Sequence, residues 1–251
     1  MKYYRVETPT GPAWAREDGA CLRLLSGAPW TEHETRRETL APEEARLVAP
    51  AAPSKIVAVG LNYRDHAKER GKPLPAEPLL FLKPPSAVIG PGAAIRRPAW
   101  AGRVDHEAEL GIVIGRKAYE LASPEEAAAH IFGAVCVNDV TARELQDKDV
   151  QFTRGKGFDT FCPVGPCIAT DLDLGALRVT GRVNGQVRQD STTAELIFPP
   201  AYLVWFVARV MTLLPGDIIS TGTPAGIGPL AAGDTVEVEV EGIGVLRNPV
   251  V

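Results

Sequence analysis

VDHEAELGIVIG, Val104 to Gly115, is the stretch whose reading decides the fold. Its second half is uncharged on both faces, as in a strand buried on two sides. Its first half places Glu107 and Glu109 two residues apart. Residues i and i+2 of a strand share a face, which sets these two roughly 6–7 Å apart at their α-carbons. At an effective dielectric of 20 such charges repel by about 2–3 kcal/mol, and desolvation adds to that. Either the pair lies in water or something positive compensates it.

VEVEVE, Val236 to Glu241, supplies a comparison. There the alternation continues, valines inward and acids outward, the pattern of a half-exposed antiparallel strand. In HEAELGIVIG the acids stop and an apolar run follows, which argues for a carboxylate pair at a core boundary. A third acid, Asp139, ends the apolar strand GAVCVN. Two Glu and an Asp make an all-oxygen set suited to a hard cation such as Mg²⁺, which keeps positions open for water or substrate oxygens. Zinc would call for His or Cys at ligand spacing, and none is present.

Outward from this stretch, strands dominate. KYYRVE, AWARE and ACLRLL form a small antiparallel sheet over residues 1–50, and the Ala- and Pro-rich run Pro42 to Pro53 reads as a linker. From residue 54 to 251 a second unit begins with the buried strand KIVAVG and the short polar helix RDHAKERG. LLFLKPPSAVI, GAVCVNDV and GDIISTG add strands, and EEAAAHIF, behind the capping box of Ser123 and Glu126, adds a helix. Asn184-Gly185 and the closing VEVEVEG-GVLRNPVV mark two hairpins. With no regular βαβ alternation, the fold class is α+β, β-sheet-rich with few helices, plus the small N-terminal β subdomain.

Composition narrows the function. The 251 residues are 45% hydrophobic and 23% charged with a net charge of -4, so nucleic acid is not an expected partner. MKYYRVETPT has no apolar signal core, and AYLVWFVARVMTLLPG is too short and interrupted to span a bilayer. A cytoplasmic protein without membrane association is expected. The four cysteines lack metal or disulfide spacing and read as buried thiols.

His66 and Glu69, three apart on one helix face, make a general acid/base pair in which the carboxylate orients the imidazole. Gly60 and Gly71 at either end suggest a mobile lid. Lys156, between two glycines, can meet a ligand at close range, and STGTPAGIG can offer backbone N–H groups to an anion.

Seven segments in order, GLNYRDHAKE, FLKPPSAVIGPG, VDHEAELGIVIG, VNDVTARELQ, GKGFDTFCPVGP, VNGQVRQDSTT and GDIISTGTPAGIG, resemble the fumarylacetoacetate hydrolase family over about four-fifths of the chain. The resemblance implies a mixed β-sandwich roll, a homodimer and one divalent metal per site, Mg²⁺ with Mn²⁺ or Ca²⁺ as alternatives. It implies metal ligation by Glu107, Glu109 and Asp139, catalysis by His66, Glu69 and Lys156, and substrate contacts from Arg143, Gln146 and Thr223. Lys156 and Arg143 are expected to bind a remote carboxylate. Lys83 and Asp159 fall in matched motifs without an assigned role. The short N-terminal part resembles the compact bacterial branch, whose members include 2-hydroxyhepta-2,4-diene-1,7-dioate isomerase/decarboxylases of aromatic catabolism. The implied chemistry is a metal-stabilised enolate of a 2-oxo or 2-hydroxy-enoic dicarboxylate. Acylpyruvate C–C hydrolysis and oxaloacetate decarboxylation are alternatives on the same site. A non-enzymatic protein with a structural cation is the alternative from another class.

Overall fold

The structure, a computed structural model, describes all residues 1–251. The largest element of the fold is one 12-stranded sheet. At its centre Ala108–Ile114 pairs antiparallel with Ile131–Asn138 on one side and Ile218–Ser220 on the other. Both flanking strands are apolar, which is why the central one carries no charge after Glu109. Beyond them lie Cys162–Ala169 on one side, and Ile56–Gly60 and then the edge strand Leu79–Lys83 on the other.

One face of the central strand, Ala108 and Leu110, packs on a four-stranded antiparallel sheet through Val179, Val238, Val240 and Leu246. Farther along that face, Ile112 and Ile114 pack on the helix Pro200–Ala208 through Leu203, Val204 and Val207. The sandwich is therefore half sheet on sheet and half helix on sheet. No helix is long and apolar enough to cross a membrane.

Several local expectations are corrected. Val104–His106 and Ala108–Ile114 are separate strands, and Glu107 lies in the break between them. Val104–His106 leaves for a three-stranded sheet with Thr141–Ala142 and Gly228–Pro229. The stretch expected as a linker is packed: Leu47–Val48 pairs with Arg5 and Val6, and Ala51 is buried. The helix after Ser123 stops at Ala128, and Ile131 already belongs to the next strand. In VEVEVE the valines are buried as read, but Glu237 is covered too, by an ion pair with Arg247. The N-terminal strands are hydrogen-bonded into the large sheet, with Lys2 and Tyr3 opposite Ala169 and Ile168.

Candidate active site

The acids converge because two sheets part at Glu107. Its N–H donates to Asn138 Oδ1 (3.0 Å), and its carbonyl accepts from Asp139 N (2.9 Å), so the break is clamped to the end of the neighbouring strand. Glu109 faces away from the Ala108–Leu110 side, and Asp139 follows Asn138. The carboxylate oxygens of Glu107, Glu109 and Asp139 come within 4.8 Å of one another, and all three residues are buried.

Cations surround two of these three. Lys156 Nζ donates to Glu107 (2.8 Å) and Asp139 (2.6 Å), and Arg143 donates to Glu107 (2.5 Å) and Asp105 (3.0 Å). Lys83 Nζ, fully buried, donates to Asp139 (2.6 Å) and to the carbonyl of Lys156 (2.6 Å). Burial would raise the carboxyl of Glu107, but Lys156 and Arg143 outweigh it and hold that group at about 2. Lys156 is likewise opposed by burial, yet Asp139 and Glu107 raise it above the usual lysine range.

Glu109 differs from both. Its neutral donors, Ser220 Oγ (2.6 Å) and Gly222 N (2.8 Å), both reach Oε2, and it has no ion pair with any cation of the chain. Burial first, then Asp139 and Glu107, push its carboxyl up to about 8. A buried carboxyl without an ion pair, beside two carboxylates, marks a site short of positive charge. An all-oxygen donor set of this kind fits a hard divalent cation, so the residues present suit the group that the resemblance implies. Glu107, Glu109 and Asp139 would hold it.

These groups open on a cavity of about 480 Å³. The lining includes His66, Glu107, Glu109, Asp139, Arg143, Gln146, Lys156 and Thr223, so eight of the nine residues singled out in the sequence meet there. The ninth, Glu69, stands behind His66. Its Oε2 pairs with His66 Nδ1 at 2.8 Å, and its Oε1 accepts from Gly226 N at 3.0 Å. With Nδ1 engaged, Nε2 is the imidazole nitrogen left for chemistry. The loop STGTPAGIG thus does present N–H groups to acceptors, but these are the protein's own Glu109 and Glu69 carboxyl groups.

The helix carrying this pair, Arg64–Glu69, is tied down at its start. Asn62 donates to the carbonyls of Phe198 (3.1 Å) and Thr221 (2.8 Å), and Asp65 accepts from Ser191 Oγ (2.7 Å). Gly71, in the left-handed region at φ 60°, closes its end.

Arg143 donates to Asp105, Glu107 and Gln146, Lys156 donates to Glu107 and Asp139, and the Thr223 hydroxyl lies between Ala108 O and Gln189 Nε2. Arg143 and Lys156 each keep N–H groups beyond these contacts. Asp159 is exposed and does not line the cavity. Sequence reading missed Asp105 and Ser220, whose roles arise from partners 38 and 111 residues away. It also missed the cavity-lining Arg70 and Lys72, although both lie next to the helix that was singled out.

The fold and the site together define a β-rich protein with a buried acidic triad beside a His–Glu pair. The chain belongs to the fumarylacetoacetate hydrolase family: residues 55–251 match the family model "Fumarylacetoacetate (FAA) hydrolase C-terminal", and residues 1–50 match "Rv2993c-like, N-terminal". It is similar to the crystal structure of 5-carboxymethyl-2-hydroxymuconate delta-isomerase from Mycobacterium smegmatis, with 45% identity, a TM-score of 0.93 and coverage of 100% of this chain and 99% of that one. The structure of 2-hydroxyhepta-2,4-diene-1,7-dioate isomerase from Mycobacterium marinum is similar at 43% identity and a TM-score of 0.92, covering 100% and 98%. Oxaloacetate tautomerase FAHD2A, mitochondrial, from Bos taurus is 40% identical over 230 residues, covering 86% of this chain and 73% of that protein.

Proposed function

We propose that this protein is a divalent-metal-dependent isomerase that shifts a proton on a 2-hydroxy-enoic or 2-oxo dicarboxylate, in the manner of the 2-hydroxyhepta-2,4-diene-1,7-dioate isomerases. The observation that carries the reading is the His66–Glu69 pair at 2.8 Å, with His66 lining the same cavity as the acidic triad. A structural cation site needs no acid/base pair. Similarity to two isomerases and a tautomerase supports the same choice, because each named reaction relocates a proton.

A divalent cation, Mg²⁺ by preference for the oxygen set, supplies Lewis-acid stabilisation of negative charge on the substrate's 2-oxygen. The chain's own groups do the rest. His66 Nε2 takes the proton from the 2-hydroxyl oxygen, and Glu69 stabilises the imidazolium through Nδ1. The proton then returns to a carbon of the conjugated chain, so the substrate's composition is unchanged. Lys156 and Lys83 hold Glu107 and Asp139 in place, and Leu79, Phe81 and Phe152 form an apolar wall of the cavity that limits water around the reacting carbon.

The test is Mg²⁺-dependent turnover on 2-hydroxyhepta-2,4-diene-1,7-dioate, enol-oxaloacetate, acetylpyruvate and fumarylacetoacetate, with Glu107→Ala as the blank. Proton-shift products from the first two, absent in the blank, are expected. Release of CO₂ or of cleaved acids as the main product would replace isomerase by decarboxylase or hydrolase. Inactivity on all four, with the metal held and Glu107→Ala unfolded, would favour a structural cation.

A further inference from the structure

Resting on the reading of the triad as the seat of a 2-oxo acid, we infer that Arg70 and Lys72 bind the substrate's remote carboxylate and set the preference for dicarboxylates. Four cationic side chains line the cavity: Arg70, Lys72, Arg143 and Lys156. The last two are ion-paired with the protein's own acids, Asp105, Glu107 and Asp139. Arg70 and Lys72 have neither an ion pair nor a side-chain hydrogen bond, and both are exposed. They are the two cations of the lining without an ion pair.

The backbone places them there. Arg70 caps the helix Arg64–Glu69, and Gly71 follows in the left-handed conformation at φ 60°. Gly71 N donates to Lys68 O (3.1 Å), and Lys72 N donates to Ala67 O (2.9 Å). These two bonds form a Schellman closure, which turns the chain sharply and needs glycine at its centre. Arg70 and Lys72 therefore flank the turn directly after the helix that carries His66 and Glu69. The acid/base pair and the two cations are set by one short segment. A substrate anchored by its far carboxylate would thus share one cavity with His66.

The lining also includes Asp147 and Asp149. Asp149 is held by Arg154, at 2.8 and 2.5 Å, whereas Asp147 has no ion pair. Two free cations against one free acid leave the mouth net positive, and they give the test a second arm.

The experiment is calorimetric binding to the Mg²⁺-loaded protein of two ligands of equal length, 2-oxoheptanedioate and 2-oxoheptanoate, which lacks the remote carboxylate. The wild-type protein should bind the diacid about tenfold or more tightly than the monoacid, the scale of one or two charge-assisted hydrogen bonds. In the Arg70→Ala/Lys72→Ala double variant the diacid should weaken to the level of the monoacid, with monoacid binding retained as the check on folding. Lys72→Arg should keep the preference, and Asp147→Asn should enlarge it. A double variant that still prefers the diacid, or that loses both ligands alike, overturns the inference. The proposed reaction is judged separately by turnover. A preference erased in the double variant, in a protein inactive on every substrate, would overturn the isomerase reading and leave this assignment standing.

Discussion

Glu109 is buried without a cation, and its behaviour with pH follows from that. Its carboxyl stands at about 8 in the folded chain against 4.5 for the free group. Below the lower value both states hold the proton and stability is fully present. Between the two values the unfolded chain has released its proton and the folded chain has not, so stability falls as pH rises and is lost through the upper value. Thermal melts in chelator should therefore show a declining midpoint from about pH 5 to about pH 8.5. Saturating Mg²⁺ should flatten the decline, and Glu109→Gln should abolish both effects. A flat chelated wild-type profile would contradict the charge assignment. At the His66–Glu69 pair, the proposed chemistry predicts that His66→Ala lowers kcat by about 10²–10⁴-fold, the usual worth of a positioned general base. Glu69→Gln, which keeps the shape but not the charge, should lower kcat by roughly tenfold while KM holds. An unchanged kcat in both would remove the pair from the chemistry. The gathering of the acids was legible from spacing and order of residue types. Which cation meets which acid was not, because Lys83–Asp139 and Arg143–Asp105 are contacts between distant parts of the chain.

Among the elements, periodicity located the strands and missed where they break. Nothing in HEAELGIVIG signals that the ladder ends at Glu107. The cause is the departure of Val104–His106 toward Thr141 and Gly228, a tertiary pairing. The helix after Ser123 read too long for a similar reason. Its cap is as read, with Ser123 Oγ accepting from Glu126 N (3.3 Å), but Ile131 is drawn into the large sheet. The glycine loop after Ile218–Ser220 read as an anion nest, and its N–H groups go to the carboxyls of Glu109 and Glu69. Gly226 is the sensitive position. Its φ is 97°, and an added Cβ would strike the carbonyl oxygen of Arg188. Gly226→Ala should cost about 1–3 kcal/mol of stability. By moving the N–H that anchors Glu69, it should also lower kcat with little change in Mg²⁺ affinity. Equal losses of kcat and metal affinity would show that the loop supports the triad and not the pair.

At the scale of the whole molecule, the large sheet runs without interruption from the N-terminal strands to the strands that carry the site. Lys2–Val6 pairs with Cys162–Ala169, and Tyr3 and Trp30 pack on Phe132 with ring centroids 5.4 and 5.7 Å away. Sequence reading separated residues 1–50 by composition, and composition carries no record of which strands pair. The thiols report on this seam. Burial pushes Cys162 up to about 12 and Cys167 up to about 11, and Cys136 is raised by burial as well. These three should resist alkylation at neutral pH until the protein unfolds, leaving half-buried Cys21 as the reactive one. A chain lacking residues 1–50 should alkylate Cys167 faster, because Tyr4 packs against the cluster that contains it. An unchanged rate would mean that the N-terminal strands do not stabilise the sheet they extend.

The most direct measurement is deuterium uptake from D₂O into the carbon beside the 2-oxo group of 2-oxoheptanedioate, followed by proton NMR. The acidic triad and the His66–Glu69 pair together predict Mg²⁺-dependent uptake in the wild-type protein. Chelation should abolish it, and so should His66→Ala, with Mg²⁺ binding intact in that variant. Uptake that survives both the chelator and His66→Ala, or no uptake by a protein that binds both Mg²⁺ and the acid, would contradict the account.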